Sequence, residues 1–339
     1  MSGGVDSSAA VSLLSRSGLD CLGCTMLLHS GTGAEAADAE SVCKKMGIRH
    51  ITVDLSGKFE KQVIDRFVTA YEQGETPNPC IDCNRCLKFG ELFDIADKYG
   101  CDKLSTGHYA RIGYDDISGR WLLKKALRPE KDQSYVLYQL TQAQLERVVF
   151  PLGELSKDEV RSIAGSEGFV NARKHDSQDI CFIPDGDYVS YIERRTGKTY
   201  PPGDFVDMNG KVLGRHSGLI RYTIGQRKGL GISLGERAYV CRLDPDANTV
   251  TLGRNSDLFS DTLYVRNINL ISVSALNGPL RAAVKIRYSH REQPAEIVQL
   301  DDDLLRIRFD TPQRAVTLGQ SAVIYSGDNV VGGGKIVKE

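Results

Sequence analysis

Residues 2–8 of this chain read Ser-Gly-Gly-Val-Asp-Ser-Ser and precede an apolar stretch, Ala9 to Leu14, that predicts a helix. The two glycines let backbone N–H groups approach an anion without a Cβ in the way. The hydroxyls of Ser7 and Ser8 add donors, and a helix N-terminus carries unpaired N–H groups and a partial positive charge. The pattern therefore favours a phosphate-binding loop, although it lacks the lysine of a Walker loop. The alternative is a glycine–serine turn that only caps the helix.

Two further segments place cysteines among polar residues. The first is Thr76-Pro-Asn-Pro-Cys-Ile-Asp-Cys-Asn-Arg-Cys-Leu-Lys-Phe89, whose prolines favour extended backbone, so Cys80 and Cys83 are expected to begin outside helix geometry. The second is Asp176-Ser-Gln-Asp-Ile-Cys-Phe182. A lone cysteine such as Cys181 is usually inert. Paired in space with Cys83, it could pass a sulfur atom by persulfide and disulfide chemistry.

The composition limits the class of protein. A chain of 339 residues, 41% hydrophobic and 26% charged, is typical of a soluble globular protein with two or three domains. It contains no apolar run near the length of a membrane span and no signal-peptide pattern. A net charge of −1 means that any RNA site must be a local basic patch. Nine irregularly spaced cysteines argue against a disulfide framework and favour reduced thiols in a cytoplasm.

The first half of the chain alternates helix and strand patterns, which predicts an α/β fold with a doubly wound parallel sheet. Helices are expected at 6–16, 34–46, 58–71 and 87–99, and strands at 21–28, 50–55 and 102–106. Gly107 and His108 follow the last of these strands, where ligands of such folds bind. A structural, hydrogen-bonded role for His108 is the alternative. Only Met1 precedes the loop, so the sheet is expected to lack a central strand.

The pattern changes near Tyr200-Pro-Pro-Gly203, which predicts a domain boundary. Apolar and polar residues then alternate at 282–288, 295–300, 304–309 and 321–325, typical of a small antiparallel barrel or sandwich. We expect a catalytic domain at 1–188, a central domain at 189–256 and a C-terminal β-barrel at 257–339. A local basic surface for phosphates is expected in the middle of the chain, from Arg194, Arg195, Arg215, Arg221, Arg227 and Lys228.

Together these motifs resemble the tRNA-specific 2-thiouridylase family, which is built on the pyrophosphate loop of ATP pyrophosphatases. The resemblance covers nearly the whole chain. It rests on Ser2–Ser8, Thr76–Phe89, Thr106–Arg111, Lys131–Tyr135, Asp176–Cys181, Tyr222–Gly231 and Lys285–Tyr288. The family replaces the 2-oxygen of the wobble uridine with sulfur, and releases AMP and pyrophosphate. The resemblance therefore implies tRNA and a persulfide sulfur-donor protein as partners.

The resemblance also implies roles for individual residues. Cys83 would be the catalytic nucleophile, and Cys181 would receive the persulfide. ATP would be held by Ser2, Gly3, Gly4, Val5, Asp6, Ser7, Ser8, Met26 and Gly107. Mg²⁺ would accompany it, and Asp6, the only carboxylate of the loop, is expected to help hold the ion. The target base and tRNA would be contacted by Asn78, Pro79, Cys80, Lys131, Asp132, Gln133, Arg287 and Tyr288. Core packing is the alternative for Tyr288, which is expected on a barrel strand with Arg287.

One feature departs from many family members, which have aspartate where this chain has Cys80 and no cysteine at position 86. The run C-x-x-C-x-x-C could ligate a cluster or zinc. Cys80, Cys83 and Cys181 could hold three irons of a [4Fe–4S] cluster, whereas Cys86 lies about 240° around a helix from Cys80. The alternative is a dithiol mechanism with two spare thiols, which the absence of a fourth nearby cysteine favours.

Two other kinds of protein remain open at this point. One is another pyrophosphate-loop ligase, which would not need Cys83 or Cys181. The other is a non-catalytic protein that binds tRNA or a nucleotide. An assay with ATP, a persulfide donor and tRNA would distinguish these two from a 2-thiouridylase, which would form both AMP and a thiolated nucleoside.

Overall fold

The computed structural model describes residues 1–29, 32–174, 180–232 and 237–339. Residues 176–179 of the predicted Asp176–Phe182 segment lie outside the described residues, whereas Cys181 lies inside them. Within the described parts of the chain, no helix combines the length and the apolar character needed to cross a membrane.

The part of the chain before residue 200 alternates helices and strands, as the sequence pattern predicts. The α-helices are α1 Val5–Arg16, α2 Gly33–Lys45, α3 Ser56–Phe59, α4 Asp65–Glu72, α5 Pro79–Asp82, α6 Leu92–Lys98, α7 Gln142–Arg147, α8 Lys157–Ser166 and α9 Tyr188–Thr196. Two π-helical segments, Glu60–Ile64 and Cys83–Glu91, join α3 to α4 and α5 to α6. The strands are β1 Leu22–Leu27, β2 Arg49–Asp54, β3 Leu104–Ser105, β4 Ala110–Asp115, β5 Arg120–Lys125 and β6 Val148–Val149. Short 3₁₀ turns lie at Pro129–Lys131 and Ser134–Leu137.

The parallel strands form two pairs between the helices. β1 pairs with β2 from Leu22↔Arg49 to Leu27↔Asp54, and β3 pairs with β6. Among the described residues the two pairs share no strand. The amino group of Met1 donates a hydrogen bond to the Cys24 carbonyl of β1. The parallel pairing agrees with the predicted α/β class, but the sheet is divided into two pairs.

The helix that carries Cys80 and Cys83 begins earlier than predicted. It starts at Pro79 and continues through α5, the π-helical segment and α6 to Lys98, so the expected start at residue 87 was wrong. Proline is tolerated in the first turn of a helix, where its missing N–H would have no partner. Asn78 caps the helix, because its side-chain oxygen accepts the Cys80 N–H at 3.1 Å. Both cysteines therefore lie inside the helix.

The central region forms a small four-stranded sheet in the order β8-β7-β10-β9. Its strands are β7 Gly203–Val206, β8 Val212–His216, β9 Tyr239–Asp244 and β10 Thr249–Gly253. A 3₁₀ turn lies at Leu219–Arg221 and another at Asn255–Leu258. Phe205, Val240 and Val250 are fully buried in the core of this sheet.

The last region is a closed antiparallel barrel of six strands, as predicted. Its strands are β11 Phe259–Leu270, β12 Leu280–Lys285, β13 Gln293–Asp301, β14 Leu304–Arg314, β15 Ser321–Ser326 and β16 Asn329–Val337. Pairing of β11 with both β14 and β16 closes the barrel. β12 ends at Lys285, because its last pair with β15 is Lys285↔Val323 and the chain then turns. Arg287 and Tyr288 therefore lie beyond the strand on which they were expected.

The barrel packs directly against the N-terminal domain. The hairpin β4–β5 extends the barrel sheet through the pair Asn329↔Lys124. The buried Tyr135 hydroxyl donates to the Ser321 carbonyl at 2.8 Å, and the Tyr138 hydroxyl lies 3.1 Å from the Ser321 hydroxyl. Buried tyrosines with satisfied hydroxyls contribute both apolar area and specific geometry. The two regions therefore share one core.

Candidate active site

The Ser2–Ser8 segment consists of a tight turn, Ser2 to Gly4, and the first turn of α1, which begins at Val5. Gly3 has a φ of +66°, a left-handed conformation that glycine adopts without strain. The Gly4 carbonyl accepts hydrogen bonds from the Ser7 and Ser8 hydroxyls at 3.1 Å each and from the Ser8 N–H at 3.3 Å. This carbonyl points into the helix. The N–H groups of the first helical turn have no partner within the helix, so an anion is stabilised at this helix N-terminus.

Two glycines let other segments of the chain contact the loop. An ideal Cβ on Gly107 would lie 2.8 Å from the Asp6 carbonyl carbon and from the Ser7 nitrogen, so a side chain does not fit there. A Cβ on Gly3 would overlap the backbone of Glu35 in α2. Close approach of a phosphate is therefore not the only reason for glycine at position 3, because packing against α2 already excludes a side chain.

Asp6 is held by two residues that sequence reasoning did not select as functional. One of its oxygens, Oδ1, accepts the Tyr109 hydroxyl and the Lys157 ammonium, each at 2.7 Å. The Lys157 side chain is only 9% exposed, so a buried cation lies beneath the phosphate loop. The ion pair holds the start of α1 and engages one of the two carboxylate oxygens that could bind a magnesium ion.

Met26, Cys83 and the segment around Cys181 meet in one apolar cluster. Cys83 is 8% exposed and belongs to the same buried cluster as Phe59 and Phe182, with Met26 at its edge. The rings of Phe59 and Phe182 meet edge to face at 5.6 Å. This packing fixes the residue that follows Cys181 against the helix that carries Cys83.

The thiols of this cluster lie within electrostatic range of one another. Burial raises the pKa of Cys83, Lys88 opposes this shift, and the Cys80 thiol adds to it. Cys181 is exposed at the surface, yet desolvation by the surrounding chain and then the Cys83 and Cys80 thiols raise its pKa. Both groups are therefore thiols, not thiolates, at neutral pH.

The thiols also lie near the phosphate loop. Glu35, whose backbone meets Gly3, is close enough to Cys181 to raise the pKa of its thiol further. The two predicted catalytic cysteines thus lie within electrostatic range of each other, and Cys181 lies within electrostatic range of Glu35, which packs against the predicted ATP loop.

The cysteines do not form a metal centre. Among the described residues, no three His, Cys, Asp or Glu side chains are arranged to hold a metal ion. Cys83 is buried in the apolar cluster, whereas Cys80 and Cys181 are exposed. The side chains present do not fit the three-iron ligation that the spacing suggested.

His108 supports the site as a structural residue. It is 8% exposed, and its Nδ1 lies 2.7 Å from the Thr106 hydroxyl. Burial lowers the pKa of His108 well below its ordinary value, so the ring is neutral. It packs 5.9 Å from both Phe89 and Phe150, which fixes the position of the neighbouring Gly107.

Two of the residues predicted to contact tRNA also shape the backbone. The Asp132 carboxylate accepts the N–H groups of Ala126 and Ser134, at 2.9 and 3.2 Å, and the Ser134 hydroxyl at 2.8 Å. The Gln133 side chain accepts the Tyr109 N–H at 2.9 Å. Both side chains therefore fix the turn that begins at Lys131, which is half-buried.

Arg287 and Tyr288 lie at the junction of the barrel with this turn. Arg287 is half-buried and donates to the carbonyls of Arg314 and Ala315, at 3.3 and 3.5 Å. Tyr288 is 43% exposed, and its hydroxyl donates to the Asp132 carbonyl at 3.4 Å. The Cys80 thiol is near enough to contribute to the raised pKa of Tyr288, which is due first to desolvation. The exposed ring therefore lies near the start of the cysteine helix.

The predicted basic surface is smaller than expected. Arg215 pairs with Asp204 at 3.0 Å, Arg221 pairs with Glu193 at 2.6 Å, and Arg195 pairs with Asp65 at 3.0 Å and with Glu60. These carboxylates neutralise half of the positive charges that were expected to meet phosphates. Arg194, Arg227 and Lys228 are exposed, and no ion pair is seen for them within the described residues.

The fold and the site define a phosphate-loop protein of the α/β class with a small β domain and a six-stranded barrel behind it. The family described as tRNA methyl transferase HUP domain matches residues 1–185. A tRNA methyl transferase PRC-barrel domain matches residues 189–254, and an aminomethyltransferase beta-barrel domain matches residues 260–336.

Relatives match the chain over its whole length. The tRNA-specific 2-thiouridylase MnmA of Acetivibrio thermocellus is 47% identical over 99% of this chain and 97% of its own. That of Clostridioides difficile is 46% identical over 100% and 97%. The chain therefore belongs to the tRNA-specific 2-thiouridylase family. A solved structure of the U34-tRNA thiolase NcsA from Methanococcus maripaludis, with its [4Fe–4S] cluster, covers 57% of this chain and 64% of its own, with 18% identity and a TM-score of 0.35.

Proposed function

We propose that this protein uses ATP and a persulfide to convert the wobble uridine of tRNA anticodons to 2-thiouridine. Membership of the 2-thiouridylase family supports the reaction class. The observation that carries the assignment is that Cys83 shares an apolar cluster with Phe182, the residue after Cys181, and that the Cys83 thiol contributes to the raised pKa of Cys181. A ligase that forms an amide would need no such pair of thiols.

The phosphates of ATP bind in this proposal at the start of α1. The loop Ser2–Ser8 and Gly107 supply open N–H groups and a close backbone approach. Lys157 adds a buried positive charge beneath the loop. Met26 lies at the edge of the cluster that contains Cys83, where the activated base must meet the thiols. Mg²⁺ would enter with the phosphates and retain several waters.

The first chemical step activates the base. Uridine O2 attacks the α-phosphorus of ATP, the bond between the α and β phosphates breaks, and pyrophosphate leaves. The C2 carbonyl, a poor electrophile, thereby acquires a good leaving group. The base must be extruded from its stack to reach the site.

The second step transfers sulfur. The terminal sulfur of a persulfide on Cys181 attacks C2, and AMP leaves with the former O2. The buried Cys83 thiol then gives up its proton, which neutralises the thiolated base as that base is released, and Cys83 Sγ attacks Cys181 Sγ. The persulfide S–S bond breaks, its electron pair stays on the sulfur at C2, and a Cys83–Cys181 disulfide remains for an external thiol to reduce. A persulfide is a stronger acid than a thiol, which compensates for the raised pKa of Cys181.

The three proposed domains contribute different surfaces. Residues 1–188 contain the ATP loop and both thiols. Asn78, Pro79 and Cys80 face the target base at the start of the cysteine helix, and the residues that contact tRNA nearby are Lys131, Asp132, Gln133, Arg287 and Tyr288. Residues 189–256 add the exposed Arg227 and Lys228, and residues 257–339 bring Tyr288 close to Cys80. A cytoplasmic location and a persulfide sulfur-donor protein complete the proposal.

The assignment is tested with purified protein, tRNA, ATP, Mg²⁺ and a persulfide donor. Wild-type protein is expected to release AMP and form 2-thiouridine. Cys83→Ser and Cys181→Ser should each lower thiolation by about 10³-fold while tRNA binding stays unchanged. Cys241→Ser is the matched control, since this half-buried thiol lies in the central sheet, where it hydrogen-bonds the Tyr239 carbonyl and contacts the Gly253 backbone. Near wild-type thiolation by either active-site variant would disprove the assignment.

A further inference from the structure

Asn171 joins the phosphate loop to the segment that leads to Cys181. It is 3% exposed, and its Nδ2 donates to the Gly3 carbonyl and to the Ser8 hydroxyl, each at 2.9 Å. The Ser8 hydroxyl in turn donates a hydrogen bond to the Gly4 carbonyl at 3.1 Å, which connects Asn171 to a second peptide group. One buried amide group therefore holds two successive peptide groups of the loop.

The chemistry of the partners fixes the orientation of this amide. The Gly3 carbonyl can only accept a hydrogen bond, so the NH₂ group of Asn171, not its oxygen, must face it. In a trans peptide the C=O and the following N–H point in opposite directions. Since Asn171 holds the Gly3 carbonyl on its own side, the Gly4 N–H points to the other side, away from Asn171. Among the described residues this N–H donates no hydrogen bond, so it is open to a ligand.

The stabilising effect of Asn171 lies in these two bonds. Its Oδ1 is buried and has no hydrogen-bond partner among the residues that the structure describes, which is unfavourable for a polar atom. An apolar side chain of similar size would fill the same space without this penalty. The amide is therefore suited to hold the loop and poorly suited to fill the core.

We propose that Asn171 is a positioning residue of the ATP site. Its hydrogen bonds hold the Gly3–Gly4 peptide so that the Gly4 N–H faces the phosphates, and Asn171 itself does not touch ATP. The inference rests on the proposed function, because it assumes that ATP phosphates bind at this loop.

The test compares Asn171→Leu with wild type by calorimetric titration of ATP and by steady-state AMP formation. Asn171→Leu should weaken ATP binding by about tenfold and raise the KM for ATP in proportion. At saturating ATP its kcat should stay within about twofold of wild type, and its affinity for tRNA should be unchanged. A residue with only a structural role would not produce this separation of KM from kcat.

Asn84→Leu is the matched control. Asn84 is also 3% exposed and donates a hydrogen bond to the Val136 carbonyl at 3.1 Å. Its buried Oδ1 has no partner within the described parts of the chain. Its loss should lower the melting temperature without changing the affinity for ATP. Equal ATP affinity in Asn171→Leu and wild type, or equal loss in both variants, would overturn the inference.

A second variant covers the case in which Asn171→Leu does not fold. Ser8→Ala removes one acceptor of Asn171 and the bond to the Gly4 carbonyl, and should weaken ATP binding about threefold. Unchanged ATP binding in folded Ser8→Ala would then contradict the inference. Wild-type protein that binds no ATP would instead contradict the proposed function.

Discussion

A single carboxylate shows how the phosphate loop is built at the scale of residues. Asp6 lies in the first turn of α1, where a negative charge is favourable next to the helix N-terminus. The same charge would repel phosphates if it were not neutralised. Lys157 and Tyr109 both donate to its Oδ1, so the ion pair keeps the carboxylate bound within the protein.

Loss of the Lys157 ammonium should therefore affect both the fold and the nucleotide. Lys157→Met leaves Asp6 without its cation and should lower the free energy of unfolding by about 1–3 kcal/mol. The KM for ATP in pyrophosphate release should rise, because the unpaired carboxylate repels the phosphates. Urea denaturation and initial rates measure the two effects.

Lys174→Met is the control for this change. Lys174 pairs with Asp38 at 3.1 Å, but its side chain is 40% exposed, and such pairs contribute less than about 1 kcal/mol. If Lys157→Met and Lys174→Met lost similar stability and Lys157→Met kept an unchanged KM for ATP, the buried Lys157–Asp6 pair would have no special role.

At the scale of elements, the cysteine helix is the part of the fold on which the chemistry depends. Asn78 caps it, and Pro79 begins its first turn. The chain then passes through the π-helical segment Cys83–Glu91, whose wider turns change the faces on which side chains point. The angle of 100° per residue used for Cys80 and Cys86 therefore does not apply to all of this segment.

Asn78→Ala should remove the helix cap and lower the free energy of unfolding by about 1 kcal/mol. It should also lower the rate of thiolation, because Cys80 and Cys83 shift when the start of the helix loosens. Asn78→Asp keeps an acceptor for the Cys80 N–H and should restore the stability. Thermal melts and thiolation rates are measured in parallel. If Asn78→Ala melts like wild type, the side chain does not act as a cap.

The elements were largely predictable, whereas the contacts between them were not. Local periodicity located α1, α2 and the barrel strands, because apolar residues recur at the spacing of each structure. The prolines at 77 and 79 predict extended backbone, but Pro79 starts a helix, where its missing N–H costs nothing. Tyr109, Lys157 and Asn171 were missed as partners of the loop, since they lie 103, 151 and 168 residues from the groups they contact.

At the scale of the whole molecule, RNA binding depends on which positively charged side chains are available to phosphates. Net charge is near zero, and carboxylates pair with several of the central arginines. Arg287, which was expected to bind a phosphate, donates to two carbonyls of the barrel. The exposed Arg227 is therefore the better candidate for a phosphate contact.

Arg227→Ala should weaken tRNA binding and reduce the slope of log Kd against log salt by about 1, because one phosphate contact is lost. Arg215→Ala is the control, and its slope should not change since Asp204 already neutralises that charge. Arg287→Ala should lower the melting temperature as well as the affinity for tRNA, because its guanidinium also donates to two carbonyls of the barrel. Filter binding of tRNA across a salt series and thermal melts are measured for all three variants. Equal slopes for Arg227→Ala and wild type would exclude the contact.

In the proposed mechanism Cys181 carries the sulfur and Cys83 releases it. A single turnover tests both roles at once, with protein whose Cys181 persulfide contains labelled sulfur, with tRNA and ATP and without reductant. Label should enter 2-thiouridine in step with a Cys83–Cys181 disulfide, identified by peptide mass spectrometry. Labelled 2-thiouridine formed while both cysteines remain reduced, or full turnover by Cys83→Ser, would contradict this mechanism.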